Sequence, residues 1–233
     1  MWYDDLPTGK SWASLWSGYI LCGQCFGIRS VGAACPACAS PPYSTEPSTM
    51  RLEDGREVTV AACFMGAEGR YEDYVYLQML EREWKRPVTE AEELIFPDPA
   101  NRPSARAALV VLFWSYFETR IERLLRGGMR QVPPVLAEDT LQRYSSIGSR
   151  LDRLYRVLFD TTYRADLTDL GFDDVGLHLA HVQERRNAFA HGDPRAIDDA
   201  LVAAVVDNLK REHEAWIAVF NRRGTRPAKG RET

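Results

Sequence analysis

Apolar residues recur every three or four positions over most of the second half of the chain, which is the spacing of an amphipathic helix. This pattern predicts a long helix from a Ser104 cap through Arg126, ended by Gly127 and Gly128. A second helix is predicted from residue 137 or 138 to Phe159. Its apolar stripe consists of Leu141, Tyr144, Ile147, Leu151, Leu154 and Leu158.

Two more helices are predicted towards the C-terminus. The segment 172–174 opens the third, which ends at His191 because Gly192 is a typical helix stop. Asp193 suits the N-cap of a fourth helix, which we expect to run to about Phe220. The apolar positions of that helix are Ala200, Val202, Val205, Val206, Leu209 and Trp216.

Four helices with short joins predict an antiparallel bundle, so the indicated fold class is mainly α. We assign the bundle to residues 100–222 and a basic tail to residues 223–233. Connecting helices are expected over residues 64–99. One of them is predicted over 71–85, from the apolar positions Tyr74, Leu77, Leu80 and Trp84. A second, short one is predicted over 89–95 from a capping box.

Residues 1–63 lack the helical pattern and predict an aromatic segment followed by a small β-rich unit. Residues 19–21 suit a strand, and residues 51–62 suit a hairpin that turns at 53–56 and could complete the same sheet. The aromatic residues of the first 21 positions are expected to form a lid on this small unit. They are Trp2, Tyr3, Trp12, Trp16 and Tyr19.

The β-rich unit carries two Cys-x-x-Cys pairs, Cys22 with Cys25 and Cys35 with Cys38. Each pair predicts a tight turn that directs two sulfurs to one point, and two such turns make a tetrahedral thiolate site for structural Zn²⁺. The alternative is a pair of redox motifs, which normally lie in a strand–helix context that is not evident here. The stretch resembles a zinc ribbon, and the remaining Cys63 is expected to be a small buried residue.

Composition restricts the partners that the protein can have. With 233 residues, 45% hydrophobic and 27% charged, the chain is long enough for a substantial core and is ordinary for a globular protein. A net charge of −4 excludes a global basic field, so any nucleic-acid contact must use a local patch. The acidic, aromatic N-terminus is unlike a signal peptide, and the apolar run over 107–114 is too short for a bilayer. We therefore expect a cytoplasmic protein without a membrane partner.

The most informative stretch is the end of the third predicted helix. Asn187 and His191 are four residues apart and share a helix face. Arg186 instead falls on an apolar stripe with Val175, Leu179, Val182 and Phe189. A guanidinium within an apolar stripe is unfavourable unless it is paired or faces an interface. The alternatives are a structural arginine paired with a carboxylate and a histidine that favours the helix C-terminus through its dipole.

The pattern Arg186-Asn187-x-x-x-His191, late in a helical bundle and directly before another capped helix, resembles the HEPN superfamily. The earlier helix with Trp-Ser-Tyr-Phe-Glu at 114–118 is similar to the first long helix of several such families, and the resemblance covers roughly residues 100 to 220. The resemblance implies an enzyme that cleaves RNA without a catalytic metal. His191 would be the general acid or base, Arg186 would stabilise the phosphate, Asn187 would orient His191 or bind the phosphate, and Glu118 would orient Arg186.

The resemblance also implies a homodimer in which two copies of the motif face one cleft, with the Arg186 stripe as a candidate seam. Toxin or anti-phage defence roles are typical of such architectures. Relatives that are silenced by nucleotidyl transfer carry a tyrosine two residues after the histidine, where this chain has Asp193. The rival hypothesis is an inactive interaction or adaptor module whose ribbon binds a regulatory protein partner or nucleic acid. The histidines 178 and 181 are expected on a solvated face.

Overall fold

The computed structural model describes residues 11–16, 19–30, 32–42, 48–60, 71–89 and 102–225. This part of the chain is mainly helical, with two small antiparallel hairpins near its N-terminus. The predicted mainly helical class is therefore confirmed. None of the helices in these ranges combines the length and apolar content needed to cross a membrane.

The four strands form two separate hairpins. Strands β1 (Tyr19–Leu21) and β2 (Ile28–Ser30) pair with Tyr19 opposite Ser30. Strands β3 (Ser48–Arg51) and β4 (Glu57–Val60) pair with Arg51 opposite Glu57. The predicted hairpin with its turn at 53–56 is present, but its first strand begins at Ser48 and not at Arg51. The expectation that this second hairpin completes the sheet of the first is wrong for the described residues, since each sheet has two strands.

The helices follow in chain order. They are α1 (Tyr71–Lys85), α2 (Ala107–Gly128), α3 (Pro134–Arg143), α4 (Ile147–Ser149), α5 (Tyr155–Phe159), α6 (Tyr163–Asp169), α7 (Asp173–Ala190) and α8 (Asp199–Arg223). A π-helical turn at Arg150–Leu154 joins α4 to α5, and 3-10 turns lie at Trp12–Trp16 and Pro194–Ala196. The bounds of α1 and α7 agree with the prediction.

The long helix α2 differs from its prediction at both ends. It starts after Arg106, because the Ser104 hydroxyl donates to Asp199 Oδ1 at 2.6 Å and accepts from the Arg106 amide at 3.1 Å. It also continues through Gly128 instead of ending there. A Cβ at Gly128 would lie 2.7 Å from the ring of Phe159, so this glycine permits close packing and is not a stop.

The second predicted helix is interrupted. Helix α3 ends at Arg143, and Ser146 caps a new start by accepting from the Ser149 amide at 3.2 Å. The fourth predicted helix is also divided, because Asp193 caps only the 3-10 turn and Asp198 caps α8. The short helix α6 was not predicted from the sequence, although Thr162 caps it.

The core surrounds α2, whose central aromatic residues are fully buried against α8. Trp12 and Trp16 belong to this same core, and the Trp16 ring contacts those of His213 and Trp216 on α8. These two aromatic residues therefore pack on the helical bundle as well as on the β-rich unit. Several predictions concern residues outside the described ranges: the first ten residues, Cys63, the short helix predicted over 89–95 and the tail after Thr225.

Candidate functional site

The first candidate site is a cluster of four cysteines at the ends of β1 and β2. Their sulfurs all lie within 4.8 Å of one another. Cys22 Sγ is 3.7 Å from Cys38 Sγ, and Cys25 Sγ is 3.6 Å from Cys35 Sγ. These separations far exceed the roughly 2.05 Å of a disulfide. The four predicted ligands are thus brought together as free thiols that could hold a metal ion.

Each Cys-x-x-Cys turn closes in the same way. The amide of Phe26 donates to Cys22 O at 2.9 Å, and the amide of Ala39 donates to Cys35 O at 2.8 Å. Both residues directly follow the second cysteine of a pair and have left-handed backbones, with φ of 61° and 58°. Non-glycine residues rarely adopt this conformation, so the repeated strain indicates turns built to position sulfurs.

The electrostatics of the cluster also favour a bound cation. Burial raises the pKa of Cys25, and the neighbouring sulfurs raise it further. Burial acts in the same direction on Cys22, but hydrogen bonds from Ser40 and backbone amides lower its pKa to about 6. Four thiolates so close together repel one another, and a divalent cation removes that repulsion.

The cluster is tied to its surroundings by two polar side chains. The buried Arg29 donates from Nη1 to Pro41 O at 2.9 Å and from Nη2 to Ala33 O, which holds the loop that carries the second cysteine pair. Asn221 of α8 accepts from the Ile28 amide at 2.6 Å and donates to Ile28 O at 2.7 Å. The cysteine unit is therefore attached directly to the helical bundle.

The second candidate site lies at the end of α7. Arg186 continues the stripe of Val175, Leu179 and Val182, which are buried within the chain. These three residues are therefore unavailable to a second copy, and the expectation that this stripe is a dimer seam is wrong for them. Arg186 itself is only half-buried, and its Nη1 donates to Asn187 Oδ1 at 3.2 Å. Among the described residues, no carboxylate lies within 4.0 Å of this guanidinium.

His191 is the C-cap residue of α7 and is exposed. Its amide donates to Asn187 O at 3.0 Å, so Asn187 and His191 occupy successive turns of the helix. Gly192 follows with φ of 102°, as expected of the residue that ends a helix. The structure thus brings Arg186, Asn187 and His191 to one helix end.

Glu118, the fourth predicted residue of this site, lies on α2. Its Oε1 accepts from Trp114 Nε1 at 2.7 Å. No ion pair shorter than 4.0 Å joins Glu118 to Arg186. The neighbouring cations are paired, because Arg185 contacts Asp198 at 3.7 Å and Arg195 contacts its own turn-capping aspartate.

The remaining described histidines are shielded to different degrees. His178 is partly buried, with its ring 6.4 Å from that of Phe113, and burial together with His181 lowers its pKa to about 4. The expectation that His178 lies on a solvated face is therefore wrong, whereas His181 is exposed. His213 is enclosed by Trp16 and Tyr19, and burial lowers its pKa to about 3.

Sequence reasoning missed a cavity of about 480 Å³ between the end of α1, the approach to α2 and the start of α8. Trp84, Arg102, Arg106 and Asp199 line it. These residues come from three distant parts of the chain and form no local motif. Only the tertiary fold reveals that they share one cavity.

Comparison with known proteins identifies no relative. No family model matches the chain, no curated protein matches it, and no solved structure matches it. The HEPN resemblance therefore remains a prediction that depends on the motif and its helical context.

Proposed function

We propose that this protein is a metal-independent endoribonuclease of the HEPN type that carries a structural zinc ribbon. The observation that supports this proposal is the half-buried Arg186 without a carboxylate partner among the described residues, beside Asn187 and near the exposed His191. A permanent cation that lacks an anion is suited to a phosphate. An exposed imidazole can exchange protons with a bound substrate.

The chemistry needs no metal because RNA supplies its own nucleophile. The 2′-hydroxyl attacks the adjacent phosphorus, the bond to the 5′ oxygen breaks, and the products are a 2′,3′-cyclic phosphate and a 5′-hydroxyl. One proton leaves the 2′-hydroxyl and another is added to the departing 5′ oxygen. His191 either accepts the first proton as a general base or donates the second as a general acid. Arg186 stabilises the charge on the non-bridging oxygens, and Asn187 holds Arg186 in place through its side-chain oxygen.

A homodimer would supply the second proton-transfer group. Each chain offers one exposed histidine at this helix end, and two chains in a shared cleft would offer two. Since Val175, Leu179 and Val182 are buried within the chain, the dimer contact that we propose uses the exposed end of α7 and not its apolar stripe.

We infer that the metal is zinc. Four sulfurs at about 2.3 Å from one zinc ion lie about 3.8 Å apart in a tetrahedron, from the usual zinc–sulfur distance. The Sγ–Sγ separations of 3.7 Å for Cys22 with Cys38 and 3.6 Å for Cys25 with Cys35 fit that arrangement. Four protein ligands leave no position for water, so the role of this zinc is structural.

The test uses the purified full-length chain with labelled single-stranded and structured RNAs in buffer that contains EDTA. We expect cleavage by the wild type, with cyclic phosphate ends, and its loss in Arg186→Ala and His191→Ala. Arg153→Ala is the matched control, since Arg153 is exposed and outside the site. Zinc content is measured in parallel, because EDTA could remove it. RNA that stays intact with every substrate contradicts the nuclease and favours the adaptor module.

A further inference from the structure

The four residues of the cysteine cluster are not equally accessible. Cys22, Cys25 and Cys35 are each at most 2% exposed, whereas Cys38 is partly exposed. The other residues of the segment 36–39 are exposed as well, so Cys38 lies at the surface of its turn. A small oxidant in solution therefore reaches Cys38 before it reaches the other three cysteines.

Each sulfur has a close neighbour in the other Cys-x-x-Cys turn. Cys38 Sγ lies 3.7 Å from Cys22 Sγ, and Cys35 Sγ lies 3.6 Å from Cys25 Sγ. Since the sulfurs of a disulfide are about 2.05 Å apart, the first pair would have to close by roughly 1.7 Å to become one. The geometry thus favours disulfides that cross between the turns.

Ser40 bridges the sulfurs of Cys22 and Cys38. Its Oγ lies 3.2 Å from Cys22 Sγ and 3.3 Å from Cys38 Sγ. Arg29 Nη1 lies 3.5 Å from the same oxygen. The hydroxyl and the guanidinium place positive potential beside this pair, which stabilises the hydroxide that leaves when a thiolate attacks a peroxide.

The backbone holds the two turns in place. The amides of Cys22 and Cys35 each donate to the carbonyl five residues later, at 2.8 and 2.9 Å. Arg29, between the turns, donates to Pro41 O at 2.9 Å and to Ala33 O. Because the turns are fixed, the second sulfur of a crossing pair is held beside the first at a high effective concentration.

We propose that Cys38 is a modification site for hydrogen peroxide and that Cys22 converts the product into a Cys22–Cys38 disulfide. The Cys38 thiolate attacks one peroxide oxygen, the O–O bond breaks and hydroxide leaves, so the sulfur is oxidised to a sulfenic acid and the peroxide is reduced. The Cys22 thiolate then attacks this sulfur, the S–S bond forms, the S–O bond breaks and a second hydroxide leaves. Two protons from solvent convert the two hydroxides to water.

The disulfide removes two of the four ligands of the proposed zinc. The thiolate is the form of cysteine that binds a metal, so Cys25 and Cys35 alone remain as ligands and the ion is released. This consequence rests on the proposed zinc site, whereas the disulfide itself does not. A thiol reductant restores both thiolates, which makes the modification reversible.

Trypsin distinguishes the possible pairings, because a cleavage site lies between the two turns. Cleavage after Lys10, Arg29 and Arg51 places the first Cys-x-x-Cys pair in peptide 11–29 and the second in peptide 30–51. The full-length wild type is treated with an equimolar amount of hydrogen peroxide, denatured, alkylated with N-ethylmaleimide and digested without reductant. We expect mass spectrometry to show the two peptides joined to each other.

Fragmentation of the joined peptides locates the bond. We expect the disulfide at Cys22 and Cys38, with Cys25 and Cys35 alkylated, and zinc release measured with a chromogenic chelator in parallel. Cys63→Ser, the matched control, should give the same product. A disulfide within either peptide, a bond between another pair of cysteines, or four alkylated cysteines after peroxide treatment overturns the proposal.

The order of the two steps is tested with dimedone, which labels sulfenic acids. In Cys22→Ser the sulfenic acid at Cys38 has lost the thiol that consumes it, so we expect more dimedone on Cys38 than in the wild type. In Cys38→Ser we expect no dimedone on Cys22. Equal labelling of the two cysteines in these variants contradicts the assignment of Cys38 as the residue that peroxide attacks first.

The zinc assignment and the modification fail in different ways. A purified protein without zinc that still forms the Cys22–Cys38 disulfide contradicts the zinc site and supports the modification. Zinc that stays bound through peroxide treatment, with all four cysteines alkylated after denaturation, retains the zinc site and overturns the modification.

Discussion

Asn221 on α8 pairs both polar atoms of its side chain with the backbone of Ile28, at 2.6 and 2.7 Å. Ile28 lies between the two cysteine pairs, so this side chain joins the cysteine unit to helix α8. The side chain occupies the position that a neighbouring strand would take beside β2.

Asn221→Ala is expected to destabilise the protein by about 1 to 3 kcal/mol, because it leaves a part-buried amide and carbonyl of Ile28 without their partner. The free energy of unfolding is measured by urea titration. Asn208→Ala is the matched control on the same helix, since the side chain of Asn208 donates to Ala204 O one turn away within α8. An equal loss in both variants would contradict a special role for Asn221.

Loss of the proposed zinc should weaken the attachment of the cysteine unit to helix α8. We expect about one zinc per chain by elemental analysis, and its loss in Cys35→Ser together with a lower melting temperature. The matched control is Cys63→Ser, since Cys63 belongs to neither Cys-x-x-Cys pair. Metal bound equally well by Cys35→Ser protein would contradict the assignment of the four ligands.

Local signals were sufficient to predict the cysteine unit and helix α1. The cysteine spacing and the apolar spacing of residues 71–85 each determine one structure, whatever the rest of the chain does. The break between α3 and α4 was missed because Leu141, Tyr144 and Ile147 keep the helical spacing across it. The Ser146 cap that starts the new segment was not recognised.

Features that depend on distant residues could not be predicted. Gly128 suited a helix stop by its type alone, and only the nearby ring of Phe159 explains it as a packing position. The end of α7 was recognisable because its residues form one continuous motif. The cavity lined by Trp84, Arg102, Arg106 and Asp199 was not, because α1, the approach to α2 and α8 meet only in the folded chain.

A buried ion pair in the core provides a test of the packing. Arg120 Nη2 lies 2.5 Å from Glu212 Oε2, and both side chains are almost fully buried. Glu212→Gln should destabilise the protein by about 3 to 5 kcal/mol, because the Arg120 charge loses its partner in the core. The unfolding free energy is again the measurement.

The matched control for this pair is Glu138→Gln on the surface. Glu138 contacts Arg126 at 2.9 Å, with side chains 51% and 44% exposed, so its loss should change stability by no more than about 1 kcal/mol. Equal effects of the two substitutions would contradict the burial of the Arg120 pair.

The buried His213 and the partly buried His178 predict a loss of stability in weak acid. The pKa of His213 is lowered to about 3 and that of His178 to about 4, against about 6.5 in an unfolded chain. The unfolded state therefore binds more protons below pH 6.5, and stability present above that pH falls as the pH is lowered. Each histidine should remove about 1.2 kcal/mol between pH 6 and 5, because the unfolded imidazole is already largely protonated at pH 6.

Comparison of the wild type with His213→Phe isolates the contribution of His213 to the pH dependence of stability, since a phenyl ring replaces the imidazole ring beside Trp16. The unfolding free energy of the variant should decline less steeply between pH 6.5 and 5, where most carboxylates stay ionised. The exposed His181 provides the control His181→Gln. Identical slopes in the wild type and His213→Phe would mean that the imidazole is solvated in the folded state.

The final prediction concerns the shape of the cation at the end of α7. Arg186→Lys keeps the positive charge but replaces a planar fork, which can bond Asn187 and a phosphate together, with a single ammonium. If Arg186 stabilises the phosphate in the transition state, kcat for RNA cleavage should fall by about 100-fold while KM changes little. Arg185→Lys is the control, because Arg185 is already paired with Asp198. A rise in KM with kcat unchanged would instead assign Arg186 to RNA binding, and full activity in Arg186→Lys would show that charge alone is sufficient.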